Sequence, residues 1–121
     1  MKLSIVIPAY NEAENIGPLV ADIISKIEID DYEIIIVDDN SSDDTGAICA
    51  KLKDETKNLK VLRREKGVNG MGYALMDGSR IAEGEYIVWM MGDRSDEIAN
   101  VAEMLDKLEK DSDMVIASRY T

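Results

Sequence analysis

The sequence predicts an α/β fold, a three-layer α/β/α sandwich on a mainly parallel sheet. Three observations predict it. Short β-branched runs alternate with stretches of helical apolar spacing, in the order β-α-β-α-β-α-β-α-β. Residues 32–37 read as a continuous apolar run, the mark of a strand buried on both faces. The first two strands each end abruptly in polar residues ahead of a helical pattern, as strands do where open sheets bind ligands. Strands alternating with helices imply parallel pairing through right-handed crossovers.

In chain order, residues 3–7 form the first strand. Ile16, Leu19, Val20, Ile23, Ile24 and Ile27 recur on one face of an amphipathic helix, with Pro18 near its start, where a missing N–H costs little. The second strand, 32–37, follows. Ser41 with Asp44 resembles a capping box opening a second helix, which turns Ile48 and Leu52 inward. Residues 60–64 form a short third strand, and the glycine-rich stretch 66–72 leads into a helix with Ala74, Leu75, Gly78, Ile81 and Ala82 on one side. Residues 85–91 make a fourth strand. Ile98, Val101, Met104, Leu105 and Leu108 stripe a fourth helix, and 114–117 make a fifth strand. No internal repeat, linker or low-complexity tract interrupts this order, so residues 1–121 read as one domain.

Composition narrows the function. Asp and Glu number 25 against 14 Lys and Arg, a formal charge of −11, which argues against non-specific nucleic-acid binding. The same field repels phosphate ligands unless a divalent cation or local arginines offset it. There is no histidine, so a Ser-His-Asp triad and a His-ligated zinc site are excluded. The single cysteine, Cys49, cannot form an intrachain disulfide, suits a reducing cytoplasm, and reads as a small core residue. No apolar run approaches the roughly 18 residues of a membrane span, and the N-terminus lacks signal-peptide organisation. The expectation is a cytoplasmic chain.

The first candidate segment is Pro8-Ala9-Tyr10-Asn11-Glu12, a strand-to-helix turn. Pro8 ends strand pairing, and Asn11 can cap the helix that follows. An ordinary strand end explains this much. The second segment is Val37-Asp38-Asp39-Asn40-Ser41. Adjacent carboxylates at a strand tip repel each other and are usually held by donors or a cation. Asp, Asn and Ser also form turns, but five polar residues after an apolar strand exceed what a turn requires. Arg63, Arg64 and Lys66, with Gly67, Gly70 and Gly72, offer basic groups and close backbone approach to a phosphate; a tightly packed helix entry explains the glycines equally well. No Walker A loop and no dinucleotide fingerprint is present. Met90-Met91-Gly92-Asp93-Arg94-Ser95-Asp96-Glu97 and Ala117-Ser118-Arg119-Tyr120 end the last two strands. An arginine at a strand tip suits bidentate phosphate recognition.

The run I-P-A-Y-N-E and the run V-D-D-N-S-S-D-D-T together resemble the nucleotide-binding half of family 2 glycosyltransferases. The dolichol- or polyprenol-phosphate mannosyltransferase branch is the nearest likeness. The resemblance extends in order to S-R-Y and implies a Rossmann-like fold of the GT-A type. It implies that Pro8, Ala9, Tyr10 and Glu12 surround the base and ribose, and that Asp39, with Val37 and Gly70, binds the nucleotide. It places Arg119 at a phosphate. The family's Asp-x-Asp motif holds Mg²⁺ or Mn²⁺; here Met91 occupies its first position and Asp93 its second, so Asp93 is the implied metal ligand. A thioether is a poor ligand for a hard cation, which weakens the site. Arg94 also stands where the family usually has an apolar residue.

The partners implied are a GDP- or UDP-linked sugar as donor and a polyprenyl phosphate as acceptor, with membrane association when complete. Family catalytic domains continue beyond S-R-Y with acceptor-binding elements, so the expectation is a donor-binding portion. A sheet ending after the fifth strand leaves an edge that favours pairing with a second copy. The competing reading is a catalytically inactive nucleotide-binding or regulatory module. A receiver-like signalling domain needs a phospho-accepting Asp at the third strand and a Lys at the fifth; the chain has Leu62-Arg63-Arg64 and Ser118-Arg119 there. A related nucleotidyltransferase would need a glycine-rich, basic first loop, which is absent.

Overall fold

A computed structural model describes residues 3–27, 31–64 and 71–90. They form β1 (Leu3–Ala9), α1 (Ile16–Lys26), β2 (Tyr32–Asp38), α2 (Thr45–Glu55), β3 (Leu59–Arg63), α3 (Met71–Ile81) and β4 (Tyr86–Trp89). The expected fourth helix and fifth strand lie outside the described residues. The four strands make one parallel sheet in the order β3-β2-β1-β4.

The strand order dictates the layers. The steps from β1 to β2 and from β2 to β3 run in one direction across the sheet, and the step to β4 runs back past β1. With every crossover right-handed, the returning helix must lie on the opposite face from the first two. The core divides accordingly. Leu3, Ile5, Ile7, Ile34 and Ile36 pack with Ile16, Leu19, Val20 and Ile23 of α1 and Cys49 of α2. Val6, Ile35 and Val37 pack with Ala74 and Leu75 of α3. The period-2 alternation of β1 and β2 thus feeds two different layers, which is why both strands lack a solvent-facing side. Cys49 is fully buried, and burial pushes its thiol up to about 11, as expected of a core cysteine.

α3 lies close to the sheet because of Gly78. A Cβ there would stand 2.5 Å from Val6 Cγ1 and 2.8 Å from Val37 Cγ2.

Glu33 departs from the apolar reading of β2. It is fully buried, on the same face as α3. Its Oε2 accepts from Ser4 Oγ at 2.5 Å and from the Glu83 N–H at 2.7 Å. Its Oε1 meets the Lys60 ammonium at 2.8 Å as an ion pair rather than a well-directed hydrogen bond. The Gly84 N–H donates to Ser4 Oγ at 2.8 Å. Burial pushes the carboxyl up, but the Glu83 N–H, Lys60 and Ser4 outweigh it and hold the group below the usual carboxylate range. The cluster ties the turn after α3 to the amino ends of β1 and β2, the end of the sheet away from the ligand side.

Pro8 sits inside β1 rather than at its end. Its register partner is Val37, and Ala9 pairs with Asp38 beyond it. Met90 N–H donates to Val6 O at 2.9 Å, so by the alternation of a parallel ladder the next donor toward β4 would be Pro8. Having no N–H, Pro8 closes the β1–β4 ladder while the β1–β2 ladder runs on to the Asp39 N–H on Ala9 O at 2.9 Å.

Two outcomes are expected. Gly78→Ala lowers unfolding stability by about 1–3 kcal/mol in urea titrations, because the added methyl must push α3 off the sheet. Glu33→Ala costs about 1–3 kcal/mol at neutral pH, by leaving Ser4 and the Glu83 N–H without their acceptor. A carboxyl lowered on folding stabilises above its unfolded value of about 4.3 and loses that contribution as pH falls through the folded value. The stability gap between parent and Glu33→Ala therefore narrows below about pH 4. A gap constant from pH 7 to pH 3 would contradict the ionised assignment.

Candidate functional site

The parallel register of β1 and β2 sets their polar tips side by side, and the two loops are laced together. Asn11 N–H donates to Ser41 Oγ and Glu12 N–H to Thr45 Oγ1, each at 2.9 Å. Ala13 N–H donates to Asp43 Oδ2 at 3.3 Å. In return Asn11 Oδ1 accepts from the Ser42 and Asp43 N–H groups, at 2.8 and 3.3 Å. Asn11 adopts φ 53° and Asn40 φ 59°, the left-handed region that Asn tolerates better than most residues.

This lacing revises the capping expectations. Asn15, not Asn11, is the N-cap of α1, and its side chain makes no cap bond. Its amide instead donates to Glu12 Oε2 at 2.9 Å. The Ser41/Asp44 capping box does not form either: α2 starts after Asp44, which makes no side-chain cap bond. Asp43 takes that part, accepting the Thr45 N–H at 2.9 Å and the Thr45 hydroxyl. Those two donors and the Ala13 N–H hold the exposed Asp43 carboxyl below its ordinary value. Ser41 and Thr45, both buried, serve the β1 loop instead of their own helix.

The adjacent carboxylates Asp38 and Asp39 are both buried, yet they turn to opposite faces of the sheet, and each has its own arginine. Asp38 Oδ2 takes Arg63 Nη1 at 2.7 Å on the α2 side, where Gly46 leaves room, and its Oδ1 accepts the Ser41 N–H at 3.0 Å. Asp39 Oδ1 takes Arg64 Nη1 on the α3 side. Arg64 Nε bonds Asp77 Oδ2 at 2.7 Å, and its guanidinium lies 5.8 Å from the Tyr73 ring. Both arginines are thus paired with β2 carboxylates. Asp77 carries no sequence signal, because its partner Arg64 lies 13 positions away, outside α3.

Of the candidate nucleotide residues, Tyr10 is 54% exposed and Glu12 partly exposed at the tip of β1. Pro8, Ala9 and Val37 are buried, and the Val37 side chain belongs to the α3 core. Asp39, buried, follows β2 beside Ala9 at the same end of the sheet as Tyr10. Gly70, Met91, Asp93 and Arg119 lie outside the described residues. Among the described residues no group of His, Cys, Asp and Glu assembles that would hold a metal ion. No helix among them is long and apolar enough to cross a membrane.

The order in which strands are added reverses between β1 and β4, and ligands of open α/β sheets bind at such a switch point, outside the carboxyl ends of the strands. Fold and tip together define a parallel α/β domain whose β1 and β2 ends carry Tyr10, Glu12 and Asp39. The sequence profile of Glycosyl transferase family 2 matches residues 4–121, and the chain belongs to that family. It is 34% identical over 120 residues to the dolichol-phosphate mannosyltransferase of Pyrococcus furiosus, covering 99% of this chain and 34% of the relative. It is 37% identical to glycosyltransferase GlyG of Streptococcus pneumoniae, covering 98% of this chain and 39% of the relative. Among solved structures, S. aureus TarS 1-349 in complex with UDP-GlcNAc superposes with TM-score 0.73 at 28% identity, over 90% of this chain and 32% of that one. The mannosyltransferase PcManGT from Pyrobaculum calidifontis, in complex with GDP-Man and Mn²⁺, gives TM-score 0.72 at 25% identity, over 86% of this chain and 32% of that one. The fold is therefore the expected Rossmann-like, GT-A type. The chain spans about a third of the length of these relatives.

Asn11 supplies both the left-handed turn and the acceptor for the Ser42 N–H. Asn11→Ala should lose about 1–2 kcal/mol of stability, and Asn11→Gly less, because glycine restores only the backbone freedom. Equal urea midpoints for parent and Asn11→Ala would remove the lacing from the stability of the tip.

Proposed function

We propose that residues 1–121 are a single donor-binding domain of a glycosyltransferase that moves a sugar from a nucleoside diphosphate to an acceptor. The observation that carries this reading is the β1/β2 tip. A laced, buried polar floor there presents Tyr10, Glu12 and the Arg64-held Asp39 at the switch point of the sheet. Pro8, Ala9 and Val37 support that floor from within the strands, and Gly70 is proposed as a further nucleotide-binding residue. The donor is GDP- or UDP-linked: PcManGT carries GDP-Man, and TarS carries UDP or UDP-GlcNAc. The dolichol-phosphate mannosyltransferase relatives support a polyprenyl phosphate as acceptor. That acceptor resides in a membrane, so the working protein associates with one, on the cytoplasmic side.

In the reaction proposed, an acceptor phosphate oxygen attacks the anomeric carbon in line, the bond to the donor diphosphate breaks, and the configuration inverts. Such an acceptor is already ionised and needs little help from a base. Arg119 faces donor or acceptor phosphate. The described tip residues do not fit a cation, because Asp39 is engaged by Arg64 and no further carboxylates converge with it. By the Asp-x-Asp likeness a divalent cation, Mg²⁺ or Mn²⁺, is assigned to Asp93; when bound it would neutralise charge on the diphosphate. The Mn²⁺ complex of PcManGT supports the assignment. Association through a sheet edge is the remaining proposal. β3 is one edge of the described sheet, but it is short and carries Lys60 and Arg63, which discourages pairing there.

Calorimetric titration with GDP, UDP, GDP-mannose and UDP-glucose, with and without Mn²⁺, tests the reading. One nucleotide should bind, with Asp39→Ala weakening it at least about tenfold, the loss of one charge-assisted hydrogen bond. Asp93→Ala should abolish the Mn²⁺-dependent part. A folded chain that binds none of the four at millimolar concentration would overturn it.

A further inference from the structure

We infer that Asp77 of α3 is a positioning residue for the donor nucleotide, acting through Arg64 on the Asp39 carboxylate. The inference rests on the donor-site reading above and deepens it by naming what holds its acidic residue in place. A carboxylate at the end of a strand has several rotamers, and one that is to accept hydrogen bonds from a ligand must be held in one of them before the ligand arrives. Asp38 has such support from its own turn, through the Ser41 N–H. Asp39 has support from the opposite face, by way of Arg64, whose side chain is only 13% exposed.

Arg64 is in turn gripped by α3. Tyr73 and Asp77 are four residues apart and lie on one helix face. The guanidinium stands by the Tyr73 ring, gives Nε to Asp77 Oδ2 and gives Nη1 to Asp39. The far side of the Asp77 carboxylate is held by Arg80 Nη1 at 3.0 Å, one helical turn on. The result is a chain of alternating charge, Arg80–Asp77–Arg64–Asp39, running from the surface of α3 to the tip of β2. Planarity matters at its centre, since a guanidinium fixed at Nε has its Nη groups aimed without further rotation. Gly78, next to Asp77, lets α3 come close enough to the sheet for this reach. Asp77 is only partly buried and lies outside the apolar core, and besides its i,i+3 pair with Arg80 its partner is Arg64, outside α3.

The experiment compares the full chain with Asp77→Ala, Asp77→Asn, Asp39→Asn and the Asp77→Ala/Asp39→Asn double variant. Each is titrated with GDP and UDP by calorimetry and monitored by thermal unfolding. Asp77→Ala should weaken the nucleotide that the parent binds by about 5- to 30-fold, a coupling of the size seen between neighbouring charged groups. Asp77→Asn keeps an oxygen for Arg64 Nε and should recover most of that loss. In the Asp39→Asn background, Asp77→Ala should have little further effect, because its influence passes through that carboxylate. A purely structural Asp77 would instead weaken binding equally in both backgrounds, or lower the melting temperature with affinity unchanged; either result overturns the inference. The Arg64 Nε–H resonance in ligand-free protein separates the two levels of the reading. If it is protected in the parent and lost in Asp77→Ala, yet the parent binds neither GDP nor UDP, the donor-site reading fails and the ion-pair chain is only structural. If it is unprotected in the parent, the positioning inference fails whatever the nucleotide does.

Discussion

The parallel register between β1 and β2 is the constraint on which the rest of the molecule depends. Leu3 pairs with Tyr32 and Ala9 with Asp38, so the two strands end level with each other. A slip of one residue would exchange the α1 and α3 faces of β2. It would place Glu33 in the all-aliphatic layer and drive Ile34 against Ser4. Because the ends are level, the loops after β1 and β2 must share a small space full of backbone N–H groups. Ser41, Thr45, Asp43 and Asn11 supply the acceptors. The polar residues that look like a binding motif are therefore also the residues that let the two loops coexist.

The second consequence is the separation of Asp38 and Asp39. Side by side in sequence, they would repel each other in a shared environment. The pleat sends them to opposite faces, and the β2–β3 register brings one arginine to each. An acidic chain can in this way keep two buried carboxylates beside a binding end without a bound cation. Asp38 stabilises the turn; Asp39 remains at the tip, tied to α3 through Arg64.

Element type and order were legible because apolar periodicity reports directly on which residues face a core. β1, β2, β3, α1, α2 and α3 lie where the spacing places them, and Cys49 is the core residue its neighbours suggest. The readings that failed share one cause. Short-range reasoning gives Asn11 and Ser41 partners within their own helix starts, whereas they bond each other's loops across the sheet, and it ends β1 at Pro8 although the β1–β2 ladder continues past it. Asn11 bonds residues some thirty positions away. Glu33 is equally illegible from its neighbours, since Ser4, Lys60 and the Glu83 N–H converge on it from three separate segments.

By itself, the sequence determined the α/β class, the alternation of elements, the two polar strand tips and, through its motifs, the family. Local periodicity and short-range turn chemistry suffice for these. Only the tertiary structure decided which donor meets which acceptor: Arg63 with Asp38, Arg64 with Asp39 and Asp77, Asn11 with the β2 loop. Those pairings depend on strand order, register and the face each helix covers. A parallel sheet joins residues distant in sequence, so none of the three can be read from neighbouring residues alone.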